Sequence, residues 1–197
     1  MKTTKKGFTL IELIVVIAII GVLAAILVPT MLGYVRKSKL SSAGSSASSI
    51  YKAINSALTE LDEEGIDVGG EYLLVWDGSK WAYATSYTSD TDVIASNVGA
   101  DALFDKKVLN FFGDMGKIKS AYAQVCSASC IAVACCSDST YTGTYPGGVI
   151  TNDNYNDDSH KPDGRKVTKT SIEDSVKKAG FTGLGDGCKK KTSSDAE

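Results

Sequence analysis

Between Leu13 and Val35 the chain carries no Asp, Glu, Lys or Arg, a run of 23 residues. Coiled as an α-helix at ~1.5 Å per residue, such a run spans roughly 34 Å, enough to cross the hydrocarbon core of a bilayer. Lys2, Lys5 and Lys6 precede it and Arg36, Lys37 and Lys39 follow, so both flanks are basic. Charge asymmetry therefore sets no orientation. One residue disturbs the pattern of a plain anchor: Glu12 stands immediately before the run.

Three readings compete for this opening. The run is a permanent anchor, or it is a secretory signal cut after Val22-Leu23-Ala24, or MKTTKKG is a short basic leader removed after Gly7 with the apolar helix retained. A secretory core normally lacks a carboxylate, and here the apolar run continues well beyond Ala25. In the third reading Phe8 becomes the new amino terminus and Glu12 lies four residues beyond it.

The stretch KGFTLIE, followed by this apolar run, resembles the type IV pilin family with its class III signal peptide. The likeness covers about the first 35 residues closely and the rest of the layout more loosely. It implies cleavage after Gly7 by a prepilin peptidase, N-methylation of Phe8, and extraction of the mature subunit from the cytoplasmic membrane into a surface filament. Gly21 and Pro29 fall where pilin helices commonly have a glycine and a helix-loosening proline.

Physical chemistry gives Glu12 a reason of its own. A carboxylate within lipid costs on the order of 2.5–3.5 kcal/mol, so a residue kept there has a partner or a function. Once the leader is gone, the Phe8 amine is a cation at similar depth. Pairing of that amine with Glu12 of a neighbouring copy neutralises both charges and fixes axial stagger, giving Phe8 and Glu12 assembly roles; the resemblance implies assembly roles for Gly21 and Pro29 as well. Pro29 removes one backbone hydrogen bond inside the helix, as a bendable filament core or a simple kink.

Past the apolar run, SSAGSSASS at residues 41–49 has a linker's composition, yet Ile50, Ile54, Ala57, Leu58 and Leu61 follow at helical spacing. We read residues 8–62 as one long helix with a small-residue middle, ending in solvent at Asp62-Glu63-Glu64. After Gly65 the period changes. EYLLVWDGSKWAYATSY places two β-prone runs around Asp77-Gly78, a hairpin signal. ADALFDKKVLNFF returns to helical spacing through Leu103, Phe104, Val108, Phe111 and Phe112, while IKSAYAQVC and CIAVACC read as strands. TYTGTYPGGVITNDNYNDDSHKPDG reads as exposed turns, and a capping box at Thr170–Glu173, or Ser171 itself, opens a short helix that stops at Gly180. The expected organisation is a leader at 1–7, a membrane or filament-core half-helix at 8–35, an outer half-helix at 36–64 and an α+β head at 65–197. In fold class this is a long helix packed on a small antiparallel sheet.

Cysteines 126, 130, 135, 136 and 188 all lie outside the apolar run, and their odd number leaves at least one unpaired within the chain. Cys135 and Cys136 on one strand face opposite ways, so they do not bond to each other. Pilins often close a carboxy-terminal loop with a disulfide; the resemblance therefore points to a bridge from Cys188 to the 126–136 cluster. Buried reduced thiols are the alternative. With His160 the sole histidine and no paired C-x-x-C, zinc-ligand spacing is missing and no catalytic set assembles. The oxygen-rich run Asn152–Asp158 lacks EF-hand spacing for calcium. Trp76, Trp81, Tyr141, Tyr145 and Tyr155 form a candidate aromatic platform for sugars. Loss of Lys2, Lys5 and Lys6 takes the formal charge from −2 to about −5, against nucleic-acid binding by the bulk surface. Lys189-Lys190-Lys191 reads as a solvated tail.

The resulting expectation is a non-enzymatic structural subunit, without cofactor or metal, that polymerises with copies of itself. Its partners are the prepilin peptidase, the inner membrane and a pilus assembly platform. A pseudopilin in a secretion or DNA-uptake machine, or a membrane-tethered adhesin binding carbohydrate, are the alternatives.

Overall fold

The computed structural model describes residues 7–84, 101–184 and 188–190. The chain divides into two compact units, Met1–Ser38 and Lys39–Glu197. A single helix, α1, runs Leu10–Glu63. In the first unit its apolar side chains are all exposed, and none of the most apolar stretch is buried. In the second unit the same helix buries Ala47, Ile50, Ala53, Ile54, Ala57, Leu58 and Leu61. That is a stripe at three- and four-residue spacing, the pattern of a helix with one core face.

The SSAGSSASS stretch is helical throughout. Its serines donate back to the preceding turn, Ser45 Oγ to Ser41 O at 3.0 Å and Ser49 Oγ to Ser45 O at 3.1 Å. Side chains that would otherwise compete for the backbone are satisfied within the helix. The helix stops where Gly65, at φ +79°, donates to Asp62 O, and Ile66 donates to Leu61 O. This paired closure needs a left-handed residue at its centre, which glycine adopts without a Cβ penalty.

Five antiparallel strands follow: β1 (Glu71–Trp76), β2 (Trp81–Ala84), β3 (Ser120–Cys126), β4 (Ser129–Cys136) and β5 (Thr142–Tyr145), ordered β2-β1-β3-β4-β5. Helices α2 (Asp101–Phe111) and α3 (Lys169–Lys178) complete the described elements, with a 3-10 turn at Gly113–Lys117. The α+β class read from the sequence is the fold observed. One sheet face, with Leu74, Trp76, Ala121, Ala123, Val125, Val133 and Cys135, packs on the α1 stripe and on Phe104 and Val108 of α2. The other, with Leu73, Tyr122, Ala132, Ala134 and Cys136, packs on Ile172 and Val176 of α3.

The hairpin read around Asp77-Gly78 is present, with Trp76 paired to Trp81 across the four-residue loop Asp77–Lys80. Asp77 Oδ1 organises it, accepting from the Ser79 and Lys80 N–H groups and from Ser79 Oγ. Partial burial is the largest single effect on the Asp77 carboxyl and pushes its pKa up. These hydrogen bonds and the Lys80 charge together outweigh it and hold the pKa below the usual value. Several local expectations are corrected. On α2, Leu103 and Phe111 face outward despite their spacing, and Phe112 lies past the helix end. Within the segment expected as exposed turns, Thr142–Tyr145 is a buried strand. Helix α3 is preceded by Thr168 rather than by Thr170 or Ser171; Thr168 Oγ1 meets Ser159 O at 2.6 Å, and Ser171 is buried inside the helix.

Two contacts fix how α1 meets the sheet. Asn55 Oδ1 accepts from the Cys130 N–H at 3.0 Å and from Ser129 Oγ at 3.2 Å, clamping the β3–β4 hairpin. That hairpin turns on Ser127 and Ala128, both at positive φ, a conformation that normally calls for Asn or Gly. Farther up the helix, β5 crosses so closely that a methyl group on Gly143 would land on the Ala43 carbonyl. Glycine is therefore required at 143, whereas a Cβ added to Gly44 would meet nothing within 4 Å. At the end of α1, Lys107 of α2 is buried with its ammonium 2.9 Å from Glu60 and 2.8 Å from Glu64.

Two expected outcomes follow from this packing. Gly143→Val, which forces β5 off the helix, should lower unfolding stability by about 1–3 kcal/mol; an unchanged denaturation midpoint would refute the close approach. Hydrogen bonds to Glu64 and Glu60 raise the Lys107 pKa. The stabilisation they give is complete below the unfolded lysine value of about 10.4 and declines as pH rises through the folded one. The stability difference between wild type and Lys107→Met should therefore shift against the wild type above about pH 10.4, measured by urea denaturation at a series of pH values.

Candidate functional site

The amino-terminal segment places its reactive groups at the mouth of α1. Gly7, Phe8 and Thr9 precede the helix, and residues 1–6 of the expected leader at 1–7 lie outside the described residues. Phe8 is 79% exposed. A Cβ added to Gly7 or to Gly21 would meet nothing within 4 Å, so no contact in the described chain requires glycine at either position.

Glu12 has a partner that the sequence reading missed. Its Oε2 accepts from the Thr9 N–H at 2.8 Å and from Thr9 Oγ1 at 2.7 Å, and the Glu12 N–H faces Thr9 Oγ1 at 3.4 Å. Thr9 is thus the cap of α1 and Glu12 the third helical residue, the reciprocal arrangement of a capping box. The signal, Thr9-Leu-Ile-Glu12 before an apolar run, was legible in the sequence. Oε1 accepts no hydrogen bond among the described residues, so the capped carboxylate retains an oxygen facing outward.

Pro29 sits inside α1, where it leaves the Ala25 carbonyl without its usual donor, and the helix continues through it. Thr30 Oγ1 donates to Leu27 O at 2.8 Å just beyond. Among the described residues, those from Leu13 to Val35 are all exposed and present an apolar surface on every side of the helix.

The cysteines divide in two. Cys126 at the end of β3 is joined to Cys188, with Cα atoms 5.8 Å apart. Cys130, Cys135 and Cys136 are free and buried. Burial pushes the Cys136 thiol up to about 11 and raises those of Cys130 and Cys135 further, so none is a ready nucleophile. Cys135 faces α1 and Cys136 faces α3. Cys130 faces α1 as well, because a bulge opposite Gln124 and Val125 skips Ile131 and turns Cys130 over.

The remaining candidates take structural positions. His160 Nε2 lies 3.2 Å from Asp174 Oδ2 and Nδ1 lies 3.2 Å from Ser159 Oγ, pinning the loop before α3 to that helix. In the oxygen-rich run, Asn154 Oδ1 accepts from the Thr151 N–H at 2.7 Å and so organises a turn. Trp76 and Trp81 are core residues at 2% exposure and Tyr145 packs on Tyr51, which dismantles the aromatic platform. Of the five candidates, Tyr141 and Tyr155 stack together, at 5.5 Å. Lys191 of the basic tail lies outside the described residues.

Residues 2–28 match the family model described as the prokaryotic N-terminal methylation motif. A type IV major fimbrial protein FimA of Dichelobacter nodosus is 31% identical over 129 residues, covering 66% of this chain and 79% of that protein. Another FimA of the same organism is 36% identical over 99 residues, 50% of this chain and only 60% of the relative. The type IV major pilin protein PilA of Myxococcus xanthus is 46% identical over 57 residues, 29% of this chain and 26% of PilA. No solved structure gives a significant match. With the methylation motif at its start and an alignment to FimA that extends through most of that protein's length, the chain belongs to the type IV pilin family.

Proposed function

We propose that this chain is the major structural subunit of a type IV pilus, made as a membrane-anchored precursor and displayed at the cell surface after polymerisation. The observation that carries the reading is the exposed apolar surface of α1 from Leu10 to Val35, led by a carboxylate whose Oε1 is unused. An apolar helix with no core of its own is stable in lipid or in a bundle of like helices, and the subunit uses both in turn. Its family membership, and relatives named as major fimbrial and pilin proteins, support the same conclusion.

The residues take the following parts. Prepilin peptidase cuts between Gly7 and Phe8. Because nothing in the described fold constrains Gly7, its lack of a side chain serves the protease rather than the subunit. The new Phe8 amine, which is then methylated, meets Glu12 of a neighbouring copy at an assembly platform in the membrane. Oε2 keeps capping the helix while Oε1 accepts the ammonium, so one carboxylate serves both the subunit and the polymer. Gly21 leaves a gap on the helix surface for close approach of another helix, and Pro29 is the point at which the core opens or bends. The globular part forms the outer shell. A carbohydrate-binding role for the tryptophans loses its support, since both are buried.

Glu12 can be tested by separating its two duties. Glu12→Gln keeps an acceptor for the Thr9 N–H but removes the charge, and Glu12→Ala removes both. Both variants should be cleaved after Gly7 yet yield at least tenfold fewer filaments in sheared surface fractions. Normal filament yield from Glu12→Gln would eliminate the charge-pairing role. Gly7→Leu should accumulate an uncleaved precursor, seven residues longer by intact mass. Amino-terminal sequencing of wild-type sheared filaments should begin at methylated Phe8; a start at Met1 or Ala25 would overturn the proposal.

A further inference from the structure

Glu71 lies beside the Cys126–Cys188 bond: a carboxylate oxygen and the two sulfurs are all within 4.8 Å of one another. The β1–β3 register sets Glu71 directly opposite Cys126. Cys188 approaches from a carboxy-terminal segment held independently, by the Thr182 N–H to Lys189 O bond at 3.0 Å and the Phe181–Lys190 bridge. Glu71 is half-buried, and among the described residues its carboxylate makes no hydrogen bond or ion pair. Such a group contributes nothing to a disulfide, but it supplies a third ligand once the sulfurs are free.

We propose that Glu71, Cys126 and Cys188 form a redox-gated divalent-cation site: disulfide when oxidised, a two-sulfur, one-oxygen zinc site when reduced. The three donors converge from β1, β3 and the carboxy-terminal segment. In a tetrahedral site Zn–S bonds of ~2.3 Å place two sulfurs about 3.8 Å apart, and a carboxylate oxygen binds at ~2.0–2.2 Å. The sulfurs need only rotate apart on backbones whose Cα separation is already 5.8 Å. Glu71 and Cys188 are both half-exposed, leaving the fourth position open to water.

The chemistry balances with a dithiol as reductant. Its thiolate attacks one sulfur, the Cys126–Cys188 bond breaks, and a mixed disulfide forms; the second thiol resolves it. Two electrons and two protons pass to the cysteines, and the dithiol leaves as its own disulfide. Zn²⁺ then displaces both thiol protons. Three like-charged ligands crowded together repel one another when empty, and the cation relieves that repulsion. Cys130, Cys135 and Cys136 do not substitute, because they are buried within the two cores.

The test uses the full chain in detergent micelles, oxidised or reduced by a phosphine, titrated with Zn²⁺ and followed by calorimetry and by mass mapping of thiol alkylation. One Zn²⁺ per reduced chain is expected, with none bound by the oxidised chain and at least tenfold slower alkylation of Cys126 and Cys188. Glu71→Gln, which leaves the disulfide intact and so reports on folding by its oxidised mobility, should weaken Zn²⁺ binding at least tenfold. Cys188→Ser should abolish it. Unchanged binding in either variant, binding by the oxidised chain, protection confined to Cys130, Cys135 or Cys136, or no binding at all would each overturn the site.

Discussion

The contact between the α1 stripe and the sheet is the one on which the folded unit depends. Ile50, Ile54, Leu58 and Leu61 are each at most 1% exposed, and each such burial is worth about 1.5–3 kcal/mol. The strands are all antiparallel and need one face covered, and α1 supplies that cover from Ala47 to Leu61. Everything else adjusts to this seam. β5 approaches where residues 43 and 44 are smallest, the β3–β4 hairpin is clamped by Asn55, and α2 is anchored by Lys107 against two carboxylates on the last turns of α1.

One helix therefore carries two sequence patterns. Toward its start the residues are apolar on all sides, as lipid or a helical bundle requires; toward its end they are apolar on a single stripe, as a sheet requires. The Ser-Ala-Gly stretch marks the change of pattern and stays helical because its hydroxyls bond to the preceding turn. At the opposite extreme one oxygen of Glu12 completes the first turn, and in the proposed filament the other is the one that takes a neighbour's amine.

Much of this was legible in the chain. The apolar run, the stripe from Ile50 to Leu61 and the strands at 120–126 and 129–136 declare themselves by period, because burial imposes the period. The capping box at Thr9 and Glu12 was equally legible, but attention to the carboxylate's cost in lipid obscured its nearest donor. Leu103 and Phe111 were misleading for the opposite reason: among the described apolar residues of this short helix on the flank of a sheet, Phe104 and Val108 are the ones that reach the core. Thr142–Tyr145 carried no strand signal, since Thr-Gly-Thr-Tyr before a proline has a turn's composition, and only the backbone of α1 explains why Gly143 belongs there.

The sequence by itself determined the amino-terminal methylation motif, the long helix and the α+β class, because each rests on local pattern: hydrophobic length, residue spacing, and the offset of Glu12 from Gly7 and Phe8. The tertiary structure alone decided the strand order β2-β1-β3-β4-β5, the choice of Cys126 as partner of Cys188, and the side on which Cys130 faces. Those depend on contacts between residues far apart in the chain, 62 positions in the case of the disulfide, and on a single bulge that reverses a strand's facing. Pairing and register are set by which surfaces meet, and no local pattern records that.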